Sequence, residues 1–226
     1  DHVLDRGLAG LHLRDDLRLA DNRALTAAAA TGRPVLALYV FDEDSPGIRP
    51  LGGASRWWLH HSLAALAADF TKLGTELHIL RGAAAELLPQ LAKSAKAATV
   101  FWGRRYGVAE RAADTAVKSA LRDAGVPAES FNDHLLVEPC EIKTKAGEPF
   151  KVFTPFWRTL RARGDPPPPL GRPKRVEAAQ PPGACKPLAL ESLGLLPSTP
   201  DWAGGLRATW TPGEAGARKR LSTFIA

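Results

Sequence analysis

The sequence predicts an α/β protein: a five-stranded parallel sheet with helices on both faces, then a Pro-rich stretch and a terminal helix. Three observations predict it. Residues 1–134 alternate short apolar runs with amphipathic stretches, in units of about 30 residues, the length of a strand–helix crossover. The run 34–41 is apolar throughout and bounded by Gly32 and by Asp42, Glu43 and Asp44, the mark of a strand buried on both faces. A polar turn, Arg14 to Asn22, separates the first apolar run from the first helix, at the edge where open α/β sheets bind ligands.

Each element has its own signal. Residues 10–14 follow the apolar run from Leu8 to Leu11 and form the first strand, and the alanine content of 22–31 gives the first helix. Residues 34–41 are the second strand. Residues 54–73 are a long amphipathic helix with Trp58, Leu59, Leu63, Leu66 and Phe70 near one face and Gly74 as its stop, so Trp58 is expected in the core. Trp57 and His61 are expected to face a ligand cleft or a neighbouring domain. Residues 76–80 form the third strand, and 84–95 the third helix, with Pro89 as a kink or break. Residues 98–102, 108–123 and 127–132 give the fourth strand, the fourth helix (ended by Gly125) and a short fifth strand.

Beyond residue 135 the pattern changes. The turn Lys145-Ala146-Gly147-Glu148 predicts a hairpin between 141–143 and 151–153, and Thr154-Pro155 predicts a capped helix running to Asp165. Residues 166–210 are Pro/Gly-rich and read as a connector lying on a surface. Thr211-Pro212-Gly213-Glu214 reads as a capping box, after which Leu221, Phe224 and Ile225 begin an apolar face. That face must bury against something and nothing follows, so the expectation is a chain cut one helix into a second domain.

Composition narrows the classes. No apolar run approaches the roughly 20 residues that span a bilayer, and the first residues lack a secretory pattern. Cys140 and Cys185 have no metal-spaced neighbours, which disfavours a disulfide framework or a zinc site and fits a reducing cytoplasm. The net charge of +6 is uneven: residues 1–134 hold 16 Lys+Arg against 16 Asp+Glu, residues 135–226 hold 14 against 8. Of the 19 prolines, 14 lie in the second part. A basic second part suits a phosphate-bearing partner or an ordinary linker, and composition does not choose. The first turn has no Gly-x-Gly-x-x-Gly, which disfavours dinucleotide binding there. No nucleophile elbow and no metal cluster is visible, and no catalytic residue is assigned.

Four collinear segments carry a resemblance: Arg14-Asp15-Asp16-Leu17-Arg18 with Asp21-Asn22 and Ala24-Leu25; Ala54-Ser55-Arg56-Trp57-Trp58-Leu59 with Ser62-Leu63; Tyr106 to Arg111; and Phe150 to Arg158. Together they resemble the DNA photolyase and cryptochrome family over residues 8–165. The chain departs from the family's usual Trp-Phe-Arg-Arg with His12-Leu13-Arg14-Asp15. The resemblance implies a Rossmann-like sheet in the order 3-2-1-4-5. It divides the chain into an antenna domain (1–134), a hairpin and helix completing it (135–165), a connector (166–210) and the first helix of a helical FAD-binding domain (211–226). It implies a DNA photolyase that uses light, FAD and an antenna chromophore to split cyclobutane pyrimidine dimers in damaged DNA. The present residues alone would be inactive, monomeric and cytoplasmic. The alternatives are a cryptochrome photoreceptor or a nucleotide-binding module of the electron-transfer flavoprotein or stress-protein type.

By the same resemblance Glu110 contacts the pterin of methenyltetrahydrofolate, whose paired N–H donors suit a carboxylate. The bland alternative is a Glu placed favourably at a helix N-terminus. Trp102, Arg104, Arg105 and Tyr106 offer stacking faces and cations for a planar chromophore with an acidic tail, or else a core tryptophan and solvated arginines. Relatives that bind a deazaflavin tend to be acidic here, so by the resemblance Arg105 and Gly107 favour folate, with a deazaflavin or flavin as the alternative. Arg14, Asp16, Arg18, Asp21 and Asn22 are expected to hold the first turn together. Arg158, Arg161 and Arg163 form a basic helix face for DNA or for an acidic part of the second domain.

Overall fold

A computed structural model describes residues 7–183 and 185–226. Its element order is β1 (Leu8–Leu13), α1 (Arg23–Ala30), β2 (Val35–Phe41), α2 (Gly53–Leu73), β3 (Leu77–Arg81), α3 (Ala84–Ser94), β4 (Ala97–Gly103), α4 (Val108–Asp123), β5 (Ala128–Phe131), α5 (Phe153–Arg161), α6 (Gly204–Thr209) and α7 (Glu214–Ile225). All strand pairs are parallel and the sheet order is β3-β2-β1-β4-β5. β1 is central, with Leu11 opposite both Ala37 and Phe101.

The two faces of the sheet form separate cores. Leu36, Leu38, Val40, Val100 and Trp102 pack against Leu88 of α3 and Val117 and Leu121 of α4. Leu11, Leu13, Ala37 and Phe101 pack against Leu25 of α1 and Leu66 and Phe70 of α2. Alternate residues of one strand serve opposite faces, which is why β1 and β2 are buried at every position. Asn22 caps α1 by accepting the Leu25 N–H at 2.8 Å, and Gly74 ends α2 at φ +103°. α3 runs through Pro89 without ending.

Four local expectations need correction. Residues 141–153 form no strands. The Thr144 N–H meets the Glu148 carbonyl at 2.8 Å and closes a turn, but no ladder follows, since Pro149 lacks a donor and no third strand supports the pair. Thr154 does not cap α5, which starts one residue earlier, leaving Pro155 still within the donor-free first turn. Thr211 does not cap α7 either: the residue before the helix is Gly213, and Glu214 reaches elsewhere.

The fourth correction is in α2. Trp57 is fully buried, whereas Trp58 is 41% exposed and sets its ring edge on Trp210 at 5.7 Å. Trp57 is 4.5 Å from the His61 ring, and its nine-residue spacing from the sheet-packing Leu66 puts it about half a turn round α2 from that stripe. The segment after residue 195 passes there: Ala203 is fully buried and the Trp202 ring crowds Gly53. Residues 166–210 therefore lie against the body. The Val35 N–H bonds the Glu177 carbonyl at 2.7 Å, and the Leu188 N–H bonds the Ile79 carbonyl at 2.8 Å, occupying part of the β3 edge.

Candidate ligand site at the carboxyl edge of the sheet

The turn after β1 holds a dense hydrogen-bond network. The Arg14 N–H donates to Asp16 Oδ1 at 2.8 Å, and its guanidinium donates to the Gly103 carbonyl and to Asp114 of α4. Arg105 reaches the same Asp114 oxygen at 3.3 Å. Asn22 Nδ2 donates to the carbonyls of Asp16 and Arg18, and Arg18 donates to those of Asp21 and Asp133 at 2.8 Å. Asp133 accepts the Arg23 N–H at 2.9 Å, adding a second cap to α1. Asp21 accepts the Leu170 N–H at 3.0 Å and ties down the connector. Arg14, Asp16 and Asn22 are buried, and Arg14 Nε and Asp16 Oδ2 have no hydrogen-bond partner there.

Close approach makes a glycine necessary at the end of β4. A Cβ on Gly103 would stand 2.7 Å from Asp16 Oδ2 and 3.0 Å from Asp133 Oδ2. Burial raises the Asp133 carboxyl, and the charge of Asp16 adds to it, while the N–H groups of Arg23 and Ala24 oppose. His12 beside this network is held neutral: burial lowers it well below the ordinary imidazole value, and Arg14 and Arg105 lower it further.

Two hollows open on this edge. A cleft of about 500 Å³ lies between α2 and α7, lined among others by Arg14, Arg18, Tyr39, Ser55, Trp58 and Glu214. It offers an exposed indole face, a buried phenol and two guanidinium groups. Burial pushes the Tyr39 phenol up, so it stays a neutral donor. A trough of about 880 Å³ lies between α5 and residues 132–141, with Arg23, His134, Trp157 and Arg161 on its walls.

Of the residues named from the sequence, Arg14 and Arg18 line the cleft and Asp21 the trough, but Trp102, Arg105, Tyr106 and Glu110 line neither. Trp102 is core: it is 1% exposed, and the Lys118 ammonium sits 5.7 Å from its ring centroid. Tyr106 donates to Glu138 at 2.9 Å, and burial together with that carboxylate pushes its hydroxyl up to about 12. Arg104 turns to Glu138 and to Ser130. Glu110 is half-buried in the first turn of α4 and folds back over its own helix start, so close that a Cβ on Gly107 would meet it at 2.0 Å. Ala109 next to it abuts Gly47, so the loop after β2 lies between the α4 start and the cleft.

Sequence reasoning missed Tyr39, hidden inside an apolar run, and the exposed face of Trp58. It also missed Asp114, Asp133 and Glu138 as partners, because pairings between distant parts of a chain carry no local signal.

Comparison with known proteins gives the fold a family. The DNA photolyase family model matches residues 11–174. The chain is 46% identical over 212 residues to a deoxyribodipyrimidine photo-lyase of Agrobacterium fabrum, covering 94% of this chain and 43% of that protein. It is 36% identical over 223 residues to Arabidopsis thaliana cryptochrome-1, covering 97% and 32% respectively. The crystal structure of a bacterial class III photolyase from Agrobacterium tumefaciens superposes with a TM-score of 0.91 at 41% identity, over 100% of this chain and 46% of that one. The chain thus spans less than half the length of these relatives. With a matching family model over most of its length and a shared fold, the chain belongs to the DNA photolyase family.

Proposed function

We propose that this chain is the light-harvesting part of a DNA photolyase, and that its antenna chromophore sits in the cleft between α2 and α7. The observation that carries the reading is the cleft itself: about 500 Å³ at the carboxyl edge of the sheet, with the exposed ring of Trp58 beside Arg14 and Arg18. That volume suits a bicyclic ring system with its attached ring. Trp58 supplies a stacking face, the half-buried Arg18 guanidinium attracts an acidic tail, and Tyr39 donates a hydrogen bond. Methenyltetrahydrofolate fits these features; a deazaflavin or flavin is the alternative. When bound, such a pigment absorbs a photon and passes the excitation on. The protein's part is to hold it rigidly, and the Asp114 pairing that anchors Arg14 keeps that part of the cleft lining fixed.

Glu110, with Arg105 and Tyr106 near it in sequence, is a second candidate contact beyond the loop after β2. There the Glu110 carboxylate would have to leave its helix start to meet a pterin edge.

In the whole protein, a helical domain continuing from α7 would carry FAD and receive the damaged DNA, splitting cyclobutane pyrimidine dimers with light. The exposed Leu221, Phe224 and Ile225 of α7 are the face such a domain would cover. The present residues alone would not repair DNA, and we place them in the cytoplasm as a monomer. The higher identity to a photo-lyase than to a cryptochrome supports repair over signalling.

Titration with methenyltetrahydrofolate, followed by its near-ultraviolet band, locates the seat. Ser55→Trp puts an indole into the cleft from an exposed position and is expected to weaken binding at least tenfold, with Glu110→Gln near wild type. The reverse pattern would move the chromophore to the α4 start, and FMN competing it away completely would favour a flavin.

A further inference from the structure

The first turn of α7 is fastened to the body by one carboxylate. Glu214 Oε2 accepts the Leu19 N–H at 2.8 Å and the Ala20 N–H at 3.4 Å, while Oε1 accepts Arg218 Nε at 2.9 Å. Both oxygens are used, and the side chain is 17% exposed. Leu19 is 2% exposed, so its N–H would lose a charge-assisted bond if Glu214 left. The approach is tight. Gly213 has φ +99°, and a Cβ there would stand 2.8 Å from the Ala65 Cβ of α2. Trp210 closes on Trp58 just before, and the Arg220 guanidinium lies 4.4 Å from the Trp210 ring centroid. Farther along, Leu221, Phe224 and Ile225 are exposed, so the seating of α7 is concentrated at its start.

Gly213, Glu214 and Ala217 are also one wall of the cleft, facing Arg14 and Trp58 across it. We propose that Glu214 is a positioning residue: by pinning α7 to the turn after β1 it builds that wall, so a ligand in the cleft and the seated helix stabilise one another. The coupling is reciprocal. Whatever tightens α7 tightens the ligand, and the ligand returns the same factor to α7. The helix that leads toward the rest of the protein therefore reports on the cleft. This rests on reading the cleft as the chromophore seat, although the pin itself needs no ligand.

Amide hydrogen exchange and chromophore titration on the same 226-residue protein test it. Glu214→Ala is expected to speed exchange at Leu19 and Ala20 about tenfold, the loss of one buried charged hydrogen bond. Exchange at Leu36 and Val100 in the sheet should not change, which shows the fold intact. Methenyltetrahydrofolate should bind about tenfold more weakly to this variant, and Glu214→Gln, which keeps one acceptor oxygen, should fall between. In the wild type the ligand should slow exchange along α7, and in Glu214→Ala it should not. Unchanged exchange at Leu19 and Ala20 in Glu214→Ala overturns the pin, and full-strength binding to a chain with α7 freed overturns the coupling. If wild type binds neither methenyltetrahydrofolate nor FMN, the antenna reading and the coupling fall together, while the exchange arm alone passes or fails the pin.

Discussion

His12 shows what a single residue adds to the central strand. It is 3% exposed, and its Nε2 has no hydrogen-bond partner. Burial, Arg14 and Arg105 hold it neutral in the folded chain, whereas the unfolded chain takes up a proton near the ordinary value of 6.5. The unfolded state then binds more protons below that value, so this residue erodes stability as the pH falls through 6.5. His61 and His78 are shifted the same way, so the effect must be isolated by comparison. Urea unfolding of wild type and His12→Phe at pH 6.5 and 5.5 makes that comparison. The wild type should lose about 1 kcal/mol more than the variant over this step; equal losses would mean His12 is protonated in the fold. His12 stood out in the sequence as a departure from the family's usual Trp-Phe-Arg-Arg. The influence of Arg105 on it did not, because Arg105 follows β4 and comes near His12 only through the pairing of β1 with β4. Arg14, Asp16 and Asn22 were legible as a turn-holding set since their partners are mostly a few residues away. Asp114 and Asp133 were invisible for the opposite reason.

At the scale of elements, strands and sheet-packing helices were readable because each obeys one period. β2 is buried throughout and α4 shows a single apolar stripe of Ala113, Val117 and Leu121. α2 broke the rule. Its inner stripe of Leu59, Leu63, Leu66 and Phe70 was read correctly, but a second layer covers its back and buries Trp57 there. A 3.6-residue period assumes one buried face, and a helix sandwiched between sheet and connector has two. The assignments of the two tryptophans thus exchange. Trp57→Ala should cost about 3–5 kcal/mol by leaving a large cavity, and Trp58→Ala within about 1 kcal/mol. Thermal or urea unfolding of both variants decides it, and a larger loss for Trp58 would contradict the packing. The capping signals at Thr154 and Thr211 failed for a related reason. A cap motif states what a side chain can do locally, and Glu214 instead found backbone donors about 195 residues away.

For the whole molecule, the change in composition near residue 135 coincides with the end of the sheet. The parallel sheet ends at Phe131, and the proline-rich part that follows wraps the sheet body. Val176, Leu193, Leu195 and Ala203 are buried by it. Prolines suit such a wrap because they stiffen an extended path that needs few hydrogen bonds of its own. The order of the strands came from the resemblance, and the structure has that same order. The cleft between α2 and α7 was not legible, because its walls come from opposite ends of the chain.

A rigid pigment-binding platform should take up one pigment per chain. Equilibrium dialysis of the 226-residue protein against methenyltetrahydrofolate, read by its near-ultraviolet band and by quenching of Trp58 emission, measures this. One equivalent bound, with the quenching lost in Trp58→Phe, is the expected result. Absence of any saturable binding of methenyltetrahydrofolate or FMN, or binding that leaves Trp58 emission untouched, would contradict the cleft as the chromophore seat.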